Sequence, residues 1–346
     1  MKKLTLAIMA LSLFAGVACD PGFESQYDIQ DLRVLAVSAT PPEFLFPVPE
    51  EVLQLLSGEQ PEGEKGEEPE GGFEDLAGFA LPVTLRLLVA DEDPTSVSFQ
   101  YSVTACVLDQ QLHCDESLPF AEVASGESME AEVEFSLEIP GDVLVASLEA
   151  DPAFGLLGAT VWLRGQVVGP ERTEEFLKAV IVTPDFYEER EANNNPSIAS
   201  LMKGDEGEET EVNPEDGPFE AETGGDYRFL PVIPDEDRET FQVVPFDSSL
   251  EAIMSGESVE VDTEEIEFQE ITEQLTVRFY SNCGKFNTEE ASEKLNPLFE
   301  TEEDKEDKDL SVEWSAPDEA RECRVWFVAF DNRGGIGWYV LDIEVK

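Results

Sequence analysis

An all-β protein built as two sandwiches is what this sequence predicts, and three observations carry that expectation. Apolar residues recur at every second position in many short runs, the spacing that puts them on one face of a strand. Gly, Pro, Asn and Asp punctuate these runs, and helical periodicity is nearly absent. The 346 residues are 41% hydrophobic, enough for two ordinary domains, each with its own core.

Each element follows from its residues. Leu32–Val37 reads as a strand stopped by Pro41-Pro42, and Phe79–Ala90 as a second, with Val83, Leu85 and Leu87 alternating with Thr84, Arg86 and Leu88. Residues 97–108 form a β-rich run. Ala131–Ile139 alternates most regularly, with Val133, Phe135, Leu137 and Ile139 on one face and Glu132, Glu134, Ser136 and Glu138 on the other. Residues 143–150 are a short helical stretch, and Val161–Val168 and Glu175–Val182 complete the first sandwich. The second is read from Tyr227–Ile233, Thr240–Val244, Ser258–Val261, Ile266–Phe268, Leu275–Tyr280, Cys323–Phe330 and Gly337–Val345. Its last two strands form a hairpin through Asp331-Asn332-Arg333-Gly334-Gly335. Residues 47–78 are Pro-, Gly- and Glu-rich, a composition that buries too little surface to offset ordering entropy. They are expected as a flexible acidic insert, and residues 300–309 as a charged loop. The expected organisation is a targeting segment at 1–18, a tether at 19–30, a first domain at 31–192, a junction and acidic linker at 193–226 and a second domain at 227–346.

Charge narrows the partners. The chain carries 78 acidic against 21 basic residues, a net charge of −57. Such a surface repels nucleic acid and anionic lipid and favours cations and basic partners. Adaptation to a salty medium explains the same composition through screening.

The first residues are a targeting signal: Lys2 and Lys3, an apolar stretch Leu4–Phe14, then Ala15, Gly16, Val17 and Ala18 before Cys19. This resembles a lipobox, in which the cysteine is acylated and becomes the mature N-terminus. Gly16 stands where that pattern usually has Leu, so ordinary cleavage after Ala18 is the alternative. Five cysteines bear on the choice. If Cys19 carries lipid, Cys106, Cys114, Cys283 and Cys323 pair off, whereas a free Cys19 leaves an odd thiol in an exported chain. Cys106 with Cys114 suits a hairpin clip, and Cys283 with Cys323 a bridge between separate strands. Zinc is disfavoured, because no CxxC pair occurs and His113 is the single histidine.

The C-terminal residues Trp314-Ser315-Ala316-Pro317, Val325-Trp326-Phe327-Val328, Asp331–Gly335 and Trp338 resemble the end of a bacterial Ig-like, PKD-like or cadherin-like module. Asn194-Asn195-Pro196, with Leu32–Val37 and Pro41-Pro42-Glu43, is similar to segments of two-module surface lipoproteins of Gram-negative bacteria. The resemblance implies two Ig-like sandwiches behind a lipoprotein signal peptide and says little about function.

Candidate sites are few. Asp235, Asp237 and Glu239, followed by Asp247, resemble the acidic cluster of cadherin modules, and Asp331 its turn, which implies a calcium site of oxygen ligands. Clusters like these are also ordinary solvated turns in so acidic a chain. A His-based mechanism must use His113, which has no nucleophile elbow or oxyanion loop near it. Carboxylate pairs are too abundant to single out a glycosidase, and no phosphate-binding glycine motif occurs. Trp162, Trp314, Trp326 and Trp338 are read as core or sheet-face residues before sugar platforms. The expectation is a non-enzymatic lipoprotein of the cell envelope, on the outer membrane or facing the periplasm. Its partners are the membrane, through lipid, and an envelope protein or extracellular ligand, without nucleic acid and without a cofactor other than calcium. Calcium-dependent adhesion and a paired-carboxylate carbohydrate hydrolase are the alternatives.

Overall fold

The computed structural model of the chain describes residues 27–47, 77–93, 97–151, 158–185, 191–205, 207–213, 217–243, 269–293 and 310–346. The targeting segment, Cys19, most of the 47–78 insert, the runs at 258–261 and 266–268, Asp247 and the 300–309 loop lie outside these residues.

The first sandwich comprises β1 (Arg33–Thr40), β2 (Glu43–Pro47), β3 (Ala80–Ala90), β4 (Phe99–Cys106), β5 (Ala121–Ser128), β6 (Glu132–Pro140), β7 (Ala159–Val168) and β8 (Thr173–Asp185). One sheet runs β1-β3-β6, the other β2-β8-β7-β4-β5. The chain changes sheet between β1 and β2 at a cis Thr40–Pro41 bond. Val83, Leu85, Leu87 and Val89 of β3 meet Val103, Val161, Leu163 and Val180 in a closed core. The helix α1 (Gly141–Ala150) follows Pro140 and seals one end with Val143, Leu144 and Leu148. In β6 the expected alternation holds: all four polar residues of Glu132–Glu138 are exposed, and Leu137 and Ile139 are buried.

The second sandwich comprises β9 (Ser200–Lys203), β10 (Thr210–Val212), β11 (Phe219–Ala221), β12 (Asp226–Val232), β15 (Thr276–Ser281), β16 (Lys285–Phe286), β17 (Glu290–Ser292), β18 (Val312–Ser315), β19 (Arg321–Phe330) and β20 (Ile336–Val345). Its sheets run β10-β9-β12-β18-β16 and β11-β20-β19-β15-β17, and a ribbon of β13 (Thr240–Val243) with β14 (Gln269–Thr272) stands beside them. The segment read as an acidic linker differs from expectation: β9, β10 and β11 are built from it. Leu201, Val212 and Ala221 turn into the core and the Phe219 ring meets Phe229 edge-on, while Glu208, Glu211 and Glu220 face water. One or two inward apolar residues per short strand make too sparse a pattern for periodicity to register.

A larger difference concerns how the sandwiches meet. They are not spaced by a linker but stacked face to face, four sheets deep. On the outer face of the β1-β3-β6 sheet, Leu35, Ala36, Leu88 and Ala90 pack against Tyr280, Trp326 and Val328, with Ile336, Trp338 and Val340 alongside. Arg86 lies 4.5 Å over the Trp338 ring and pairs with Glu132 at 3.3 Å. Strands buried on both faces lose alternation and read as continuous apolar runs. Leu87-Leu88-Val89-Ala90 and Val325-Trp326-Phe327-Val328-Ala329 are two such runs.

Candidate functional site

Three segments singled out in the sequence converge at one end of this seam: Glu43 after the double proline, the Asn193–Pro196 junction and the Asp331–Gly335 hairpin. The hairpin is shaped by Asp331, whose Oδ1 accepts hydrogen bonds from the Arg333 N–H at 2.8 Å and the Gly335 N–H at 2.7 Å. Two glycines let the junction lie against it. A Cβ on Gly335 would stand 2.7 Å from the Asn194 carbonyl oxygen, and one on Gly337 only 1.8 Å from that of Pro196. Asn195 then fastens both sandwiches. Its Oδ1 accepts from the Ile336 N–H at 2.9 Å, and its Nδ2 donates to the Ala39 carbonyl at 2.8 Å.

Arg333 is thereby delivered into a nest of carboxylates. Its guanidinium pairs with Glu43 of the first sandwich, with Glu239 at 3.1 Å and with Glu273 at 3.2 Å, and it stacks 4.7 Å over the Phe241 ring. Glu43 also accepts from the Thr183 hydroxyl at 2.6 Å and the Asn193 N–H at 2.9 Å. Lys178 of β8, buried, donates to the Gly334 carbonyl. Burial lifts the Glu273 carboxyl to about 7, helped by the nearby charges of Asp331 and Glu239 and opposed by Arg333. Burial also lowers Lys178 to about 8, against the pull of Asp331. The arrangement can take up or release protons near neutrality. The side chain of Glu273 is 1% exposed and its oxygens face Arg333 and the Glu239 N–H, so no substrate carbon can approach it.

The residues expected to hold calcium are divided. Asp237 accepts from the Ser197 N–H at 2.7 Å and hydroxyl at 2.6 Å, Asp235 is solvent-exposed beside Arg238, and Glu239 and Asp331 belong to the nest around Arg333. Among the described residues no three His, Cys, Asp or Glu side chains are grouped to hold a metal. Sequence reasoning missed Glu43, Lys178, Glu273 and Arg333 as a group. A lysine flanked on its own side of β8 by Phe176, Val180 and Val182 was the available signal.

A second feature lies in the first sandwich. Cys106 and Cys114 form one disulfide and Cys283 and Cys323 the other. The first clips a loop in which Asp109 Oδ1 accepts from the N–H groups of Gln111 at 2.8 Å and His113 at 2.9 Å. Held this way, Leu112 has φ of 62° and remains 59% exposed. A left-handed, solvent-facing leucine is a strained apolar knob on a rigid support, the pattern associated with binding loops.

No family model matches the chain, and no curated protein does. The chain is similar, at 8% identity and TM-score 0.24, to an Escherichia coli alpha-2-macroglobulin activated by porcine elastase, over 93% of this chain and 22% of that one. It is similar at 9% identity and TM-score 0.20 to dimeric latent PorU from Porphyromonas gingivalis, over 92% of this chain and 24% of that one. It is similar at 10% identity and TM-score 0.19 to a chimeric titin Z1Z2 carrying a decorin peptide, over 92% and 96%. The chain therefore spans less than a quarter of the length of the first two.

Proposed function

We propose that this is an exported, lipid-anchored protein of the cell envelope that works by presenting a binding loop rather than by catalysis. Cys19 would hold the chain at the membrane, the stacked sandwiches form the rigid body, and the clipped loop engages a protein or other ligand outside. The observation that carries this reading is the clipped loop with Leu112 held exposed and strained. Against the hydrolase alternative stands the burial of Glu273, whose carboxyl is raised to about 7, in contact with an arginine. Two disulfides accord with an oxidising compartment, and among the described residues no helix is long and apolar enough to cross a membrane.

Crosslinking on intact cells tests the reading, comparing wild type with Leu112→Asp. A partner captured by wild type and lost in the variant, with unchanged melting, is the expected result. Equal capture by both removes the loop from the proposal. Palmitate labelling of wild type but not of Cys19→Ala is expected for the anchor.

A further inference from the structure

The two ends of the first sandwich are chemically different, and the N-terminal segment enters at one of them. Tyr27–Ile29 does not hang free. The Ile29 N–H donates to the Ser281 carbonyl at 2.8 Å, the Ser281 N–H donates to that of Tyr27 at 3.1 Å, and the Tyr27 ring lies 5.2 Å from that of Tyr280. Ile29 is 1% exposed. The chain is thus pinned at the seam before β1 begins, where a tether was expected. Strand registers fix which turns share this end. Arg33 opposes Ala90, Leu88 opposes Glu132, Phe99 opposes Ser128 and Gln100 opposes Val168. Asp31 pairs with Arg172 in the β7–β8 turn, and Gly169 of that turn abuts Leu32.

At this end lies an open depression of about 550 Å³ whose apolar rim is Met129, Val168 and Pro170 and whose remaining lining includes the polar Ser98, Gln100, Glu127 and Ser128. Met129 is 84% exposed and Val168 39%. The opposite end carries α1, Phe79 and the clipped loop. Seven residues separate Cys19 from Tyr27. Even fully extended, the eight intervening steps reach only about 29 Å, less than the roughly 35 Å length of the eleven-residue strand β3.

We infer that the end bearing Met129, Val168 and Pro170 rests on the lipid surface, held there by the pinned Tyr27–Ile29 segment and the short span to Cys19, and that the clipped loop points away. This rests on the reading that Cys19 is acylated. Glu127, Glu130 and Glu171 lie beside the apolar turns, so the surface that fits is zwitterionic, where a methionine and a proline enter the headgroup layer without charge repulsion.

The test uses acylated full-length protein reconstituted into phosphatidylcholine vesicles containing a headgroup-level nitroxide lipid. A fluorophore is placed on Glu130→Cys or on Phe79→Cys, both exposed and at opposite ends; acylation leaves Cys19 no thiol to compete. Several-fold stronger quenching at 130 than at 79 is expected, and Met129→Ser should weaken it. Equal quenching, or stronger quenching at 79, overturns the inference. Flotation with vesicles is read in parallel. Protein that floats but quenches equally sinks this orientation alone, whereas wild type that neither floats nor takes up palmitate sinks the anchor and the orientation together.

Discussion

Arg333 shows how one side chain is committed to holding two folding units together. Its side chain is 10% exposed, and the guanidinium faces three carboxylates from separate elements. Removing one partner of a buried ionic group strands the others, at about 3–5 kcal/mol. Arg333→Gln is expected to lose that much in urea unfolding, and Arg333→Lys to recover little of it, because an ammonium has no planar fork to share among several acids. Glu273 and Lys178 give the nest a pH signature. The folded-state pKa of Glu273 is raised, so its contribution is complete below about pH 4.5 and disappears as pH rises through about 7. The stability of wild type relative to Glu273→Gln should therefore fall across that window. Lys178 is lowered, so the folded state gives up its proton before the unfolded state does. Stability relative to Lys178→Met should rise between about pH 8 and 10.5. Leu112 carries the opposite kind of cost. Leu112→Gly relieves a left-handed backbone and should stabilise by about 1 kcal/mol, visible as a higher melting temperature, while weakening partner capture.

Individual strands are largely legible in the sequence, and the physical reason is alternation. In β6 the period of two survives because one face meets the core and the other meets water. β19 and β20 were legible through their aromatic runs and the Asp331–Gly335 turn. β5 was not, since Ala121–Ser128 is an edge strand of small and charged residues paired on one side only with β4. The strands at 200–221 were hidden because each is three or four residues long and brings only one or two apolar residues inward. The nest around Arg333 was hidden for a different reason. Its members lie up to 290 residues apart, and in a chain with 78 acids no local pattern marks Glu43, Glu273 and Asp331, the three that are buried among the described residues. Of the two disulfides, Cys283–Cys323 closes the longer loop, 40 residues against 8. Its removal by paired Ser substitution should cost about 2–5 kcal/mol and exceed the cost of removing Cys106–Cys114. Excess calcium should leave the melting temperature unchanged, since Asp237, Glu239 and Asp331 already accept protein donors. An upward shift would instead place a cation site among them.

The stacking of four sheets turns two sandwiches into one body. Leu88 and Trp326 are fully buried between them, each contributing about 1.5–3 kcal/mol, and the nest and Asn195 clamp one end while Tyr27–Ile29 clamps the other. A body of this kind transmits position: whatever fixes one end fixes the direction of the loop at the other. It is expected to unfold as a unit, because parting the two faces uncovers Leu88 and Trp326, takes Arg86 from the Trp338 ring and takes Glu43 from Arg333. Differential scanning calorimetry of the wild type beside Leu88→Glu, which plants a charge in the apolar seam, tests this most directly. A single transition in the wild type, with equal calorimetric and van't Hoff enthalpies, that splits into two in the variant is the predicted result. Two separate transitions in the wild type, unmoved by the substitution, would show that the sandwiches fold and melt independently of the seam.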